Sequence, residues 1–441
     1  MVKNGSKRPG PKSLSGTEHI LKNPGVRSWI AYDWANSAFF TVVVSTLFPI
    51  YFTTYICQGF EEGKATYYFS VATTLGALLI ALASPFLGTV ADKLPIKKTL
   101  LFVFASLGCL ATASLATTSP DHPFVALILF STASFGVMGS LVFYDSLLPH
   151  ICPTKELNKV STTAYAAGYV SGTILLAAVF LCVSKPALVG LGDKTSVSKA
   201  AYVVVAAWWF VFSLPLLLRL KEPAIATRSS VKNALKSSTK DLLLLVKKLK
   251  QYPDAFRFLL AFLVYNDGIG TVIKMAAIYG AELHLKTSTL MGAILLVQFI
   301  GIPFTLLFSK IADKLGIKTT LNLALAVYIV VCVVGYFAKT DSHFYALALL
   351  IGVVQGGTQS LSRSLFASMI PRDSSGQFFG LYAVFEKLAG VLGPLLFTLA
   401  IAFTGQTKLA ILGLVFFFVL GAIVLSTVDV ERGRKQVGVK F

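Results

Sequence analysis

Seven ionisable side chains stand inside otherwise apolar stretches of this sequence: Asp33, Asp145, Asp267, Lys274, Arg363, Glu386 and Lys387. A charge at the centre of a lipid-embedded helix costs about 2.5–3.5 kcal/mol on insertion scales, so each must face protein or water and find a partner. Groups of this kind do two sorts of chemistry. They hold a charged solute through charge-assisted hydrogen bonds, or they take up and release a proton. Residues three and four apart share a helix face, which aligns Asp33, Asn36, Ser37 and Phe40, then Asp267, Gly270, Thr271 and Lys274, then Gln355, Gln359, Ser362 and Arg363. Such stripes suit a wet pathway in which Arg363 or Lys274 holds a carboxylate while a carboxylate or amide holds an amino group. Asp33 and Asp145 stand near helix ends, where they serve either as a gate with Arg363 or in binding. Asp267 lies near mid-helix and is the best placed for reversible protonation; a permanent Asp267–Lys274 pair is the alternative. Glu386 and Lys387 are adjacent, about 100° apart around a helix, and are expected to meet different partners in a structural or gating role.

The elements that position these residues follow from composition. The chain has 441 residues, of which 55% are hydrophobic and 13% charged, with a mean hydropathy of +0.74, against about 45–50% apolar and 25% charged in soluble domains. Most of it must therefore be solvated by lipid. Spanning a bilayer takes about 20 apolar residues as helix, and twelve segments qualify, at roughly 29–57, 67–91, 99–118, 124–148, 160–183, 200–218, 256–280, 288–308, 319–338, 344–369, 378–403 and 407–428. The fold class is thus an all-α membrane protein. Its expected parts are a tail over 1–28, a first six-helix bundle over 29–218, a basic linker over 219–255, a second bundle over 256–428 and a tail over 429–441.

The net charge of +19 would suggest nucleic acid in a soluble protein. Its placement argues otherwise: 29 Lys and Arg fall on the side of the predicted tails and linker, seven on the other side and three within helices. By the positive-inside rule both termini are cytoplasmic. Within the linker, Asp241 to Lys250 reads as either an amphipathic helix on the membrane surface or a solvated connector. The five Cys are scattered, without metal-ligand spacing or a disulfide pattern, and are read as apolar fillers. The five His are equally dispersed, and no G-x-S-x-G, H-E-x-x-H or P-loop motif occurs, so no enzyme, metal or cofactor is expected.

The halves repeat. Ala91 to Leu100 (ADKLPIKKTL) matches Ala312 to Leu321 (ADKLGIKTTL) at eight of ten positions, and Ser146-Leu-Leu-Pro149 is echoed by Ser368-Met-Ile-Pro371. The loop Gly88-x-x-x-Asp92-Lys93 and its partner Ser309-x-x-x-Asp313-Lys314-x-Gly316 resemble the signature loop of the major facilitator superfamily. Pro95, Ile96, Ile317 and Ser309 depart from its pattern. Ala31-Tyr-Asp-Trp-Ala-Asn-Ser-Ala-Phe39 with Phe48-Pro-Ile-Tyr-Phe52 resembles the opening helix of the vacuolar, autophagy-related effluxer-like branch. Ala261 to Ile269, Gln298-x-x-Gly301-x-Pro303, Gln355 to Ser364, Phe378 to Tyr382 and Gly393-Pro394 resemble that branch as well.

The resemblance implies two pseudo-symmetric six-helix bundles, with helices one, four, seven and ten lining a central cavity, and secondary transport by alternating access. The solute it suggests is small and organic, an amino acid or related zwitterion or anion, driven by a solute or a proton gradient as symport or antiport, with proton-coupled efflux as one form and uptake as the alternative direction. It marks Asp92, Lys93, Asp313 and Lys314 as latch residues. Expected partners are the solute, protons and the bilayer, with no nucleic acid and a monomeric chain. The expected location is a bacterial inner membrane, or a vacuolar membrane in a eukaryote. The competing reading is a receptor or lipid-handling protein on the same scaffold.

Overall fold

The computed structural model describes residues 20–438 except 62–63, 225–229, 231–232, 235–236, 239–248, 283–284, 286, 391 and 405. Among the described residues, twelve helices are long and apolar enough to cross a membrane. In chain order they are α1 Pro24–Ile56, α2 Lys64–Lys93, α3 Lys97–Thr117, α4 Pro123–Ile151, α5 Thr154–Ser184 and α6 Lys194–Arg219. The second set comprises α7 Pro253–Glu282, α8 Thr287–Leu315, α9 Ile317–Phe337 and α10 Asp341–Ser368, then α11 Arg372–Thr404 and α12 Thr407–Ser426. A short α13, Val430–Gln436, follows. The stretch 241–248, read above as part of an interfacial helix, lies outside the described residues.

The packing repeats as the sequence does. In the first six helices α1 meets α5 and α6, α2 meets α4, and α3 meets α4 and α6; in the second six α7 meets α11 and α12, α8 meets α10, and α9 meets α10 and α12. Contacts between the halves obey the same symmetry, since α2 against α11 matches α8 against α5, and α4 against α11 matches α10 against α5. This is the two-bundle arrangement expected of parallel repeats. Leu, Val, Phe and Ile side chains remain exposed around the outside of the bundle, as lipid-facing surface requires.

Local departures from the sequence reading have identifiable causes. The first helix begins at Pro24 rather than 29, because Asn23 accepts the Gly25 N–H as its N-cap and Pro24 takes the first turn. In its middle, Phe39–Leu47 is π-helical, and the Ser45 and Thr46 hydroxyls donate to the carbonyls five residues back. The two repeat loops differ by one residue type. Gly316 turns at φ +85°, a conformation closed to Pro95, so the first loop needs 94–96 where the second needs Gly316 alone. Small residues set helix approach: a Cβ on Gly168 would lie 2.3 Å from Ser37 Oγ, and one on Gly356 would lie 2.0 Å from Thr305 Oγ1. Four cysteines are buried and all are unpaired; burial pushes the Cys152 thiol up to about 12, so it stays protonated.

Candidate functional site

Three of the four helices expected to line a cavity meet at one cation. Arg363 of α10 donates through Nη2 to Asp33 Oδ2 of α1 at 3.2 Å and through Nη1 to Asp145 Oδ1 of α4 at 3.2 Å. Its Nε donates to Ser161 Oγ at 3.0 Å and Nη2 also to the Ser161 carbonyl at 3.2 Å, both on α5. The guanidinium is only 4% exposed and lies 4.4 Å from the Tyr165 ring centroid and 4.8 Å from that of Trp29. A planar fork is the side chain suited to two carboxylates and a hydroxyl at once. Trp29 stacks on Tyr144 at 4.3 Å and donates to its carbonyl, holding α1 against α4 beneath the guanidinium. The result is a charged bridge from the second bundle to three helices of the first. Charge within apolar stretches pointed to Asp33, Asp145 and Arg363; Ser161, Trp29, Tyr144 and Tyr165 were missed, because a hydroxyl or an aromatic ring within an apolar stretch gives no comparable signal.

A second junction lies at the linker end, where α2 and α11 meet. Asp92 accepts N–H groups from Gly376 at 2.9 Å and Gln377 at 2.7 Å, so it caps the first helical turn of α11, and it pairs with Lys97 Nζ at 2.9 Å. Lys97 Nζ also donates to Ser375 Oγ at 2.8 Å, which His150 Nε2 of α4 approaches at 3.1 Å. Backbones touch here: a Cβ on Gly88 would sit 2.0 Å from the Gly376 carbonyl, and one on Gly380 would sit 2.4 Å from that of Ser84. Glu222, at the start of the linker, accepts the Lys97 and Lys98 N–H groups at 2.6 and 3.0 Å and caps α3. It was missed, though it is the first acid after six helices in a basic run. Lys93 donates to Ser237 Oγ. Asp313 and Lys314, the repeat counterparts of Asp92 and Lys93, are exposed.

The third cluster lies between α7 and α11. Asp267 is the fifteenth residue of the 30-residue α7 and is fully buried. Its Oδ2 accepts the Gly393 N–H at 2.8 Å. Lys274 donates to the Gly390 carbonyl at 3.4 Å, so these two ions answer to the backbone of α11 rather than to each other. Glu386 and Lys387 correct the expectation of separate partners: they pair with one another at 2.8 Å. Long side chains ending in flexible head groups close the angle that their Cα positions open. Gln359 donates to Asn266 Oδ1 at 2.7 Å and ties α10 to α7, while Gln355 is half-buried. Asn36 is 2% exposed and donates to the Tyr32 carbonyl, inside the first bundle.

Residues 62–438 match the family model described as vacuole effluxer Atg22 like. The chain belongs to that family. An uncharacterized MFS-type transporter of Bacillus subtilis (strain 168), YxiO, is 33% identical over 416 residues, covering 92% of this chain and 94% of the relative. Autophagy-related protein 22 of Eremothecium gossypii is 23% identical over 479 residues, covering 94% and 92%. Among solved structures, the MFS proton:xylose symporter XylE aligns at TM-score 0.71 and 12% identity, over 94% of this chain and 96% of that one. The protein is therefore an MFS-type transporter of the effluxer-like family, an integral multi-pass membrane protein with the major facilitator fold.

Proposed function

We propose that this transporter moves a small carboxylate-bearing organic solute of the amino-acid class by rocking its two six-helix bundles, 29–218 and 256–428, about the Arg363 junction, and that Asp267 couples the movement to protons. The observation that carries the reading is the bridge from Arg363 to Asp33 and Asp145. It joins the two bundles through contacts that a rocking motion must make and break, with water replacing protein as partner when the bundles part. Asp267 supports coupling because it is a titratable carboxylate, fully buried midway along α7 and tied to α11 through Gly393, where a change of partner or of protonation is felt by both helices. The basic residues, 29 against seven, support a cytoplasmic linker end and termini in an inner membrane. In proteoliposomes, counterflow of labelled amino acids with and without a pH gradient tests the reading. Saturable, gradient-sensitive flux is expected, and no flux of any amino acid would overturn the solute class.

In this reading the Asp92 cap and the Gly88–Gly376 contact hold the linker end closed. Gly88→Ala puts a methyl group into the Gly376 carbonyl, so the closed state is expected to lose population. A Ser375→Cys reporter, buried in the closed form, should then react with a maleimide at least about tenfold faster, a shift of roughly 1.4 kcal/mol. Unchanged labelling would remove the latch from the account. Asp92→Asn keeps an oxygen for one N–H but loses the negative charge that pairs with Lys97, and a smaller acceleration of the same reporter is expected.

A further inference from the structure

The two halves close their linker ends in different ways. Helices α5 and α11 each open on a 3-10 turn, Thr154–Glu156 and Arg372–Ser374, and a proline precedes each, Pro153 and Pro371. The fold thus aligns Pro371 with Pro153 rather than with Pro149, which lies inside α4. In that alignment Asn158 and Lys159 are the counterparts of Gly376 and Gln377, while Ser309 and Asp313 are those of Gly88 and Asp92. At the first seam, between α2 and α11, a Cβ on Gly376 would lie 2.5 Å from the Gly88 carbonyl and 2.8 Å from Asp92 Oδ1. Two bare backbones are what lets Asp92 reach the N–H groups of α11. At the second seam, between α8 and α5, Ser309 and Asn158 both carry side chains, and Asp313 is exposed where the Asp92 side chain is 9% exposed. The side chains of α5 turn instead to α10. Ser364 donates to Asn158 Oδ1 at 2.8 Å, and one turn along, Ser161 donates to the Ser360 carbonyl at 2.8 Å while accepting the Arg363 Nε–H at 3.0 Å. Asn158 and Ser161 are three apart on α5, and Ser360 and Ser364 are four apart on α10, so each set shares a face and the bonds form a ladder between the bundles.

We propose that Asn158 is the latch of the second seam, holding α5 to α10 at the linker end in the place that the repeat marks for Asp313. This rests on the rocking-bundle reading above, since a latch needs an end that opens. A carboxylate caps a helix start only where the two backbones come within reach of one short side chain, and a seam built on Ser309 and Asn158 cannot close backbone on backbone as Gly88 and Gly376 do. The amide of Asn158 reaches across to Ser364, the residue after Arg363. It thereby holds α10 where Arg363 meets Asp33 and Asp145, which makes Asn158 a positioning residue for that bridge. The two latches differ in kind. Asp92 is a charged cap on two N–H groups, whereas Asn158 is a neutral acceptor of one hydroxyl and the weaker of the two. Losing Asn158 therefore frees part of the closed population, and losing Asp313 frees none.

The test places spin labels at Lys155 of α5 and Lys310 of α8, both exposed, in the full chain with its five cysteines replaced, and reads the width of the second seam in liposomes. Asn158→Ala is expected to raise the ratio of long to short distances about three- to tenfold, the range for losing one neutral hydrogen bond. Ser364→Ala should do the same, and the two together should do no more than either alone, as members of one contact behave. Asn158→Asp keeps the accepting oxygen and adds charge to the bond, so the short population should grow; a loss of packing would not reverse the sign in this way. Asp313→Ala should leave the distribution at wild type. A seam that widens with Asp313→Ala and ignores Asn158→Ala would return the latch to the loop and overturn the proposal. Two populations that Asn158→Ala does not shift would overturn the latch alone and leave rocking standing. A single short distance in every variant, in protein that still exchanges labelled amino acids, would overturn the rocking reading and the latch with it.

Discussion

Replacing Arg363 with methionine is expected to abolish solute exchange and to destabilise the protein by about 3–5 kcal/mol, the cost of breaking a buried ion pair from one side. The cation is the shared partner of Asp33 and Asp145, each at 3.2 Å, so its loss leaves two carboxylates facing each other with no positive charge between them. Arg363→Lys is expected to retain the fold but lose at least tenfold in exchange, because one ammonium cannot span both carboxylates and Ser161 as the guanidinium does. Stability and function separate in the triple variant Asp33→Asn, Asp145→Asn, Arg363→Met. It strands no charge, so most of the stability returns, while exchange stays below about a tenth of wild type because the charged bridge between bundles is gone. Thermal unfolding in detergent and counterflow in liposomes read the two effects separately. Wild-type exchange in the triple variant would reduce the bridge to a packing feature.

The second large effect is expected at Asp267. Asp267→Asn preserves shape and keeps an oxygen to accept the Gly393 N–H, so the contact between α7 and α11 is held and the fold is unchanged. What it removes is the titratable carboxylate to which the proposed coupling assigns the proton. Exchange at equal pH on both sides should therefore persist, whereas accumulation driven by a pH gradient should fall at least about tenfold, to the level set by the solute gradient alone. Asp267→Ala differs in kind: it orphans a buried N–H at a cost of about 1–3 kcal/mol, and both exchange and stability should decline. Accumulation that survives Asp267→Asn would remove the proton from this site.

Much of the scaffold could be read from the chain because lipid imposes simple rules. Twelve apolar stretches reflect the demand that a helix span the bilayer, and the eight-of-ten repeat is answered by a helix packing that repeats in the two halves. The ionisable residues were also legible, since a charge in an apolar stretch must be explained. Their pairing was less so. Asp33, Asp145 and Arg363 were named together as one of two readings, but nothing in the spacing chooses between a gate and a binding site for residues 218 and 330 positions apart. Asp92 was marked by its motif, yet its partners, the N–H groups of Gly376 and Gln377, belong to backbone that no side-chain pattern reveals. Glu386 and Lys387 were misjudged because helix angle fixes Cα directions, not where long head groups end. That Lys274 and Asp267 reach the Gly390 carbonyl and the Gly393 N–H depends on the packing of α7 against α11, which local sequence does not encode.

In the proposed cycle the linker end, closed by Asp92 and the Gly88–Gly376 contact, opens during transport. The measurement that tests it most directly is the distance distribution between spin labels at Thr99 and Asp373, which are exposed at the ends of α3 and α11, in a variant whose five cysteines are replaced by serine or alanine. Two populations are predicted in liposomes, the shorter matching the closed arrangement described here, with the longer one gaining weight when Gly88→Ala is added and when transported solute is supplied. A single short distance under every condition, in protein that still exchanges solute, would contradict the account.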